Sequence, residues 1–316
     1  MRRAALVWGG TVAVVAGLGA ATIALVIAVT ATPEAHVERY LQALAADDLV
    51  TAARLAGLPE GSPTPLGDAG TPTVLGVIDR AERGDGRVAV IAEYGGERDS
   101  ATVILVLAPA EPLFGVVPQW RFTTPPVRTL EIGVDQHDEF LVNERRLAAT
   151  APGETARVTA FVPARLDVGV IDPFVQAETV HLRLGQSSPD TLLLEAVSTV
   201  RLERAVQQEV TRFLTDCVDQ EVLQPAGCPF GREIDDRVLD RPQWQLVTEP
   251  LVTLTPSSTP GTWSVRALAE VGLRVSVQSL FDGRVSDVDT TLTATVTGTV
   301  LVRDGVPRLT IQPPTG

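Results

Sequence analysis

The stretch TVLGVIDRAERGDGRVAVIAEYGGERDSATVILVLA, Thr73 to Ala108, decides how the first half of this 316-residue chain is read. Three runs rich in valine and isoleucine, TVLGVIDR, RVAVIAEY and ATVILVLA, are separated by Gly84-Asp85-Gly86 and Gly95-Gly96. β-Branched runs suit a pleated strand, and glycine-bearing turns between them are hairpin signals. QWRFTTP, starting at Gln119, supplies a fourth run, so the spacing predicts an antiparallel meander.

A helical period precedes it. In TPEAHVERYLQALAADDLVTAARLAG, Thr32 offers a capping hydroxyl, Pro33 suits the first helical position and Glu34 follows as an acid. Val37, Tyr40, Leu41 and Leu44 then recur on one apolar face. Asp47 reads as the cap of a second short helix ending at Gly57, and LPEGSPTPLGDAGTP as a loop. Helices followed by a meander make an α+β module over residues 33–126.

Residues 127–198 hold short β-like runs (RTLEIGVD, FLVNERRLA, ARVTAFVP, TVHLRLG) broken by Pro152-Gly153, Asp172-Pro173 and Pro189-Asp190. With no helical period, they read as a small β-sandwich. LERAVQQEVTRFLTDC then places Leu202, Val206, Val210, Phe213, Leu214 and Cys217 along one helical stripe. The runs QWQLVTE, LVTLTP, TWSVRALAEV, RVSVQSLF, TLTATVTGTVLV and PRLTIQ follow, with turns at Asp282-Gly283 and Asp304-Gly305. The expected fold class is therefore α+β. Two helix-plus-antiparallel-sheet modules (33–126 and 199–312) flank a β-sandwich module (127–198), with a short tail at 313–316. Pro118-Gln119-Trp120 and Pro242-Gln243-Trp244 are a local echo between the outer modules.

From Ala4 to Thr30 the chain carries neither a charge nor a proline. At about 1.5 Å per residue such a run crosses a hydrocarbon core roughly 30 Å thick, so a transmembrane anchor is expected over 4–30. Arg2 and Arg3 lie before it and Glu34 after it, which predicts a cytoplasmic tail at 1–3 and the bulk of the chain outside the cell. A cleaved signal peptide ending at Val29-Thr30-Ala31 is the rival reading. Signal h-regions run only about 7–15 residues, which favours an uncleaved signal-anchor. Gly9, Ala13, Gly17 and Ala21 recur at intervals of four, a face on which two membrane helices could approach as a homodimer.

Acids outnumber bases 39 to 26, for a net charge of −13, so nucleic acid is not an expected partner. All 26 basic residues are arginine. Without a lysine amine, Schiff-base chemistry, the Ser-x-x-Lys acyl-transfer arrangement and the phosphate-binding loop are excluded. Hydrophobic residues at 45% are ample for several cores.

Cys217 and Cys228 are the only cysteines. Outside the cell, a disulfide is their default state. A redox pair would have two intervening residues, and a zinc site needs further ligands, which His181 alone does not supply. His36, His137 and His181 stand far apart in sequence. The acids of REIDDRVLDR (Arg232 to Arg241) and Asp282, Asp287 and Asp289 do not follow a calcium-loop pattern. Trp8 suits a membrane interface, whereas Trp120, Trp244 and Trp263 lie in strand-like runs and read as core. No catalytic, metal-binding or cofactor-binding residues are assigned.

VERYLQALAADDLVTAARLAG, followed by the meander that closes on PQWRF, resembles the nuclear transport factor 2-like superfamily, a cone of helices against a curved antiparallel sheet. The order of tail, anchor, such a domain, a β module and a cysteine-bearing domain resembles membrane-anchored actinobacterial envelope proteins of unassigned activity. The first resemblance implies polar residues inside the cone, for which Tyr94 and His36 are the nearest matches. The expected function is a non-enzymatic binding or accessory role among envelope proteins. The alternative is a small-ligand receptor or enzyme that uses a pocket inside a cone.

Overall fold

The computed structural model describes residues 31–70, 74–96, 99–185, 188–303 and 305–312. The expected anchor at 4–30, with its pairing face, lies outside them. Among the described residues no helix is long and apolar enough to cross a membrane.

Strands dominate, and the α+β expectation is corrected: among the described residues 50% are in strands against 16% in helices. Among the described residues the α-helices are confined to 33–45, 49–55 and 200–218, where a helical apolar period is sustained. The other apolar runs among the described residues form mainly strands. The chain folds as two compact units. The first takes the described residues up to Glu131 with Arg157–Asp167 and His181–Asp190; the second takes Ile132–Ala156, Val168–Val180 and Thr191 onward. Residues 127–198 are therefore divided between the units rather than folded as a separate sandwich.

In the first unit, helix α1 (Pro33–Ala45) starts where expected: the Thr32 side chain accepts the Ala35 N–H at 3.1 Å. Helix α2 (Leu49–Leu55) is capped by Asp48, one residue beyond the expected Asp47. The meander is β1 (Val74–Glu82), β2 (Val88–Gly96), β3 (Asp99–Leu113) and β4 (Val117–Phe122), in that spatial order and antiparallel throughout. The turn after β1 bends at Asp85 and Gly86, both in the left-handed region where glycine costs least. Val37, Tyr40 and Leu41 on α1 are fully buried together with Val90 and Ala92 on β2 and Leu107 on β3. The loop at 57–70 is not idle. Leu66 forms a parallel bridge with Ala160, its N–H bonding to the Thr159 carbonyl at 2.9 Å.

The chain continues through β5 (Val127–Val134), β6 (Glu139–Val142), β7 (Arg145–Ala148), β8 (Thr155–Phe161), β9 (Ala164–Gly169), β10 (Val175–Ala177), β11 (Val180–Leu184), β12 (Thr191–Leu194) and β13 (Ala196–Ser198). Within the second unit β6 pairs with β7 and with the end of β9, and β10 pairs with β13.

Helix α3 (Val200–Val218) follows, with Thr199 as its cap and Leu202, Val206, Val210, Leu214 and Cys217 buried. It packs on β15 (Gln243–Leu246), β16 (Leu251–Pro256) and β19 (Val306–Ile311). With β14 (Arg237–Val238), β17 (Thr262–Gln278) and β18 (Val285–Arg303) these make a six-stranded sheet. This sheet is not the repeated meander expected from the sequence. Strands β14, β15 and β16 all pair with β17, and β18 runs along its other side. TWSVRALAEV and RVSVQSLF are one strand, because Gly272 between them makes room for its neighbours rather than a turn. A Cβ there would meet the Gln245 and Val247 side chains at 3.2 and 3.3 Å.

Candidate functional site

The interior of the first unit is built from α1, β2 and the loop at 57–70. Tyr40 on α1 is fully buried. Its hydroxyl donates to the Val162 carbonyl at 2.9 Å and lies 3.1 Å from that of Pro126. Burial, and then the neighbouring Tyr94, push its pKa well above the ordinary tyrosine value. Tyr94 on β2 is also buried, and its hydroxyl makes no hydrogen bond of good geometry. Burial raises its pKa, and the charge of the nearby Asp68 carboxylate raises it further. Asp68 accepts the Arg165 N–H at 3.0 Å. Burial lifts the pKa of its carboxyl, and its bond to that N–H and the Arg165 charge offset part of the shift.

His36 is engaged elsewhere. Its Nε2 lies 3.1 Å from the Leu55 carbonyl, and its ring meets Phe122 edge-on at 5.1 Å. Burial lowers its pKa, favouring the neutral ring that donates to Leu55 and ties α2 to α1. His36 and Tyr94, the two residues singled out by resemblance, thus lie in one interior but serve separate contacts. Asp68 and Arg165 were missed. They meet only in the fold, 97 positions apart, so no local pattern marks them.

Openings lined by described residues reach the surface of this unit. A cleft of about 420 Å³ lies between the start of α1 and the end of the sheet, lined by Pro33, Arg80, Glu82, Arg83, Arg87 and Trp120 among others. Its positive charge is largely spent. Arg80 pairs with Glu34 at 2.9 Å and Glu82 at 3.2 Å, and Arg87 lies 3.5 Å from Asp85. A second groove, about 280 Å³, is lined by Val103, Leu105, Thr123, Val127 and Arg128 among others. Arg128 is also committed, donating to the carbonyls of Gly185 and Ser188 and to Asp190 at 2.7, 2.5 and 2.7 Å.

In the second unit Cys217 and Cys228 form a disulfide. It joins the last turn of α3 to a loop that is also held by Trp244, whose indole N–H donates to the Val222 carbonyl at 2.7 Å while its ring packs on Phe230. Two acids of the 232–241 stretch hold the end of β17: Asp236 accepts the Leu280 N–H and Asp240 that of Ser276. Asp289 pairs with Arg274 at 3.0 Å, and Asp287 accepts the Ser276 hydroxyl. His181 lies 2.7 Å from Asp167 and His137 lies 3.8 Å from Asp138. Among the described residues no three His, Cys, Asp or Glu side chains converge as a metal site.

No family model, curated protein or solved structure matches the chain. The likeness to the nuclear transport factor 2-like superfamily therefore rests on the pattern of residues 37–122 alone.

Proposed function

We propose that the protein is a single-pass, membrane-anchored extracytoplasmic protein with a non-enzymatic binding or accessory role in the cell envelope. The observation that carries this reading is the Cys217–Cys228 disulfide, since such bonds persist in oxidising compartments and the uncharged run at 4–30 supplies the means of reaching one. The filled interior of the first unit supports binding through outer surfaces. Tyr40, Leu41, Val90, Leu107 and Phe161 occupy the space that an internal receptor or catalytic pocket would need. The Tyr94 hydroxyl is buried in that interior, near Asp68.

Protease added to intact cells tests the reading. Digestion of everything beyond the first thirty or so residues is expected. A full-length chain that survives while a known surface protein is cut would overturn it. Partners are best captured with a photoactivated group, because a chain without lysine offers amine-directed cross-linkers no side chain.

A further inference from the structure

The β3–β4 turn exposes three apolar side chains in a row of four residues. Leu113 is 51% exposed, Phe114 89% and Val116 74%. Phe114 also sits at φ 52°, a left-handed backbone that a bulky residue adopts only at a cost. Scattered exposed apolar residues are ordinary, but a strained turn that holds a phenylalanine out into water calls for an occupant.

The register of the sheet shows where this turn points. In an antiparallel meander the β1–β2 and β3–β4 turns lie at the same end, and Pro109 lies 3.7 Å from where a Cβ on Gly86 would stand. Helix α1 begins at that same end, since Glu34 pairs with Arg80 near the close of β1. The Trp120 indole N–H donates to the Ala31 carbonyl at 3.0 Å, which pins the residue that follows the uncharged run to β4. From Trp120 to the tip is about five residues, or roughly 15 Å of strand. The tip therefore leads the chain entry point towards whatever surface the chain leaves. The polar layer of a bilayer is only about 5–8 Å thick on each side, so a lead of that length reaches it even when the sheet is steeply tilted.

We propose that the Leu113–Val116 turn is a membrane-contacting tip, resting in the interface of the bilayer in which residues 4–30 are anchored. This rests on the anchor reading above. Trp120, half-buried where it pins Ala31, and the arginines of the adjoining cleft, Arg80, Arg83 and Arg87, are residue types that settle at headgroup level, and Glu34, Glu82 and Asp85 pair with Arg80 and Arg87 there. Another exposed apolar turn, at Leu280 and Phe281, has no such neighbour to name its occupant.

The test uses the full chain in phosphatidylcholine vesicles, under non-reducing conditions, with a fluorophore on Phe114→Cys or, as a control, on Ala46→Cys. Ala46 is exposed at the far end of α1. Brominated lipid is expected to quench the label at 114 and to spare the one at 46. A label at 114 that keeps its emission in protein that floats with the vesicles overturns the tip contact and leaves the anchor standing. Protein that does not float with the vesicles overturns the anchor, and the tip contact with it. A label shielded only in native envelopes, not in vesicles, assigns the turn to a protein partner and likewise overturns the proposal.

Discussion

The hydroxyl of Tyr40 donates to the carbonyl oxygen of Val162 at 2.9 Å, linking α1 to a residue 122 positions later. Tyr40→Phe leaves buried carbonyls at Val162 and Pro126 without that donor and should cost about 1–3 kcal/mol. Tyr40→Ala also empties the space and should cost roughly 3–5 kcal/mol. Urea denaturation of the two variants checks the order; a Tyr40→Phe variant as stable as the native chain would show that the hydroxyl contributes nothing.

Breaking the bond between Cys217 and Cys228 frees the unfolded chain. A Cys217→Ser, Cys228→Ser variant should lose about 3 kcal/mol on the chain-entropy model. Reductant should lower the melting temperature of the native chain and leave that of the variant unchanged.

Gly298 lies in β18 opposite Ile311. A Cβ there would lie 2.5 Å from the Thr310 carbonyl oxygen and 3.2 Å from the Ile311 Cα, backbone atoms that cannot swing aside. Gly298→Ala should therefore cost about 1–3 kcal/mol, and the amides of β19 should exchange faster than those of β17.

His36 makes stability depend on pH. Its folded pKa lies below the ordinary 6.5, first because of burial and then with a smaller contribution from Arg39, against the Leu55 carbonyl. As pH falls below 6.5 the unfolded chain takes up the proton first, so stability is full above that value and is lost as pH falls towards the folded pKa. His36→Gln can still donate to Leu55 but cannot titrate. The denaturation midpoint of this variant should show a flatter slope between about pH 5 and 7.

Phe114 tests whether the turn carries a retained strain. Phe114→Gly accepts φ 52° freely and should raise stability by up to about 1 kcal/mol. A loss of stability would mean that the exposed ring packs against the fold after all.

What the sequence conveys well is local. Thr32 and Pro33 mark the start of α1, Gly84 to Gly86 mark a turn, and the alternation Trp263, Val265, Ala267, Ala269 marks a strand face that the structure buries. What it conceals is pairing between distant segments. The bond from Asp68 to Arg165, and the bridge from Leu66 to Ala160, arise from a stretch rich in proline and glycine that carries no strand period. Gly272 misleads for a related reason: a glycine chosen for closeness to Gln245 looks the same in sequence as one chosen for a turn. The class expectation failed by weighting two helical stretches as if each defined a module. The strand runs around them, with β17 nearly and β18 fully as long as α3, make up most of the fold.

Strands β17 and β18 stay paired from Gln278 and Val285 beside their turn out to Thr262 and Leu301, a ladder of roughly 55 Å. Each new pair is closed by its predecessor, so assembly can begin at residues 279–284 and zip outward with little loop-closure cost. The C-terminal sheet thus carries its own folding template, onto whose rims β14, β15, β16 and β19 can add as they become available.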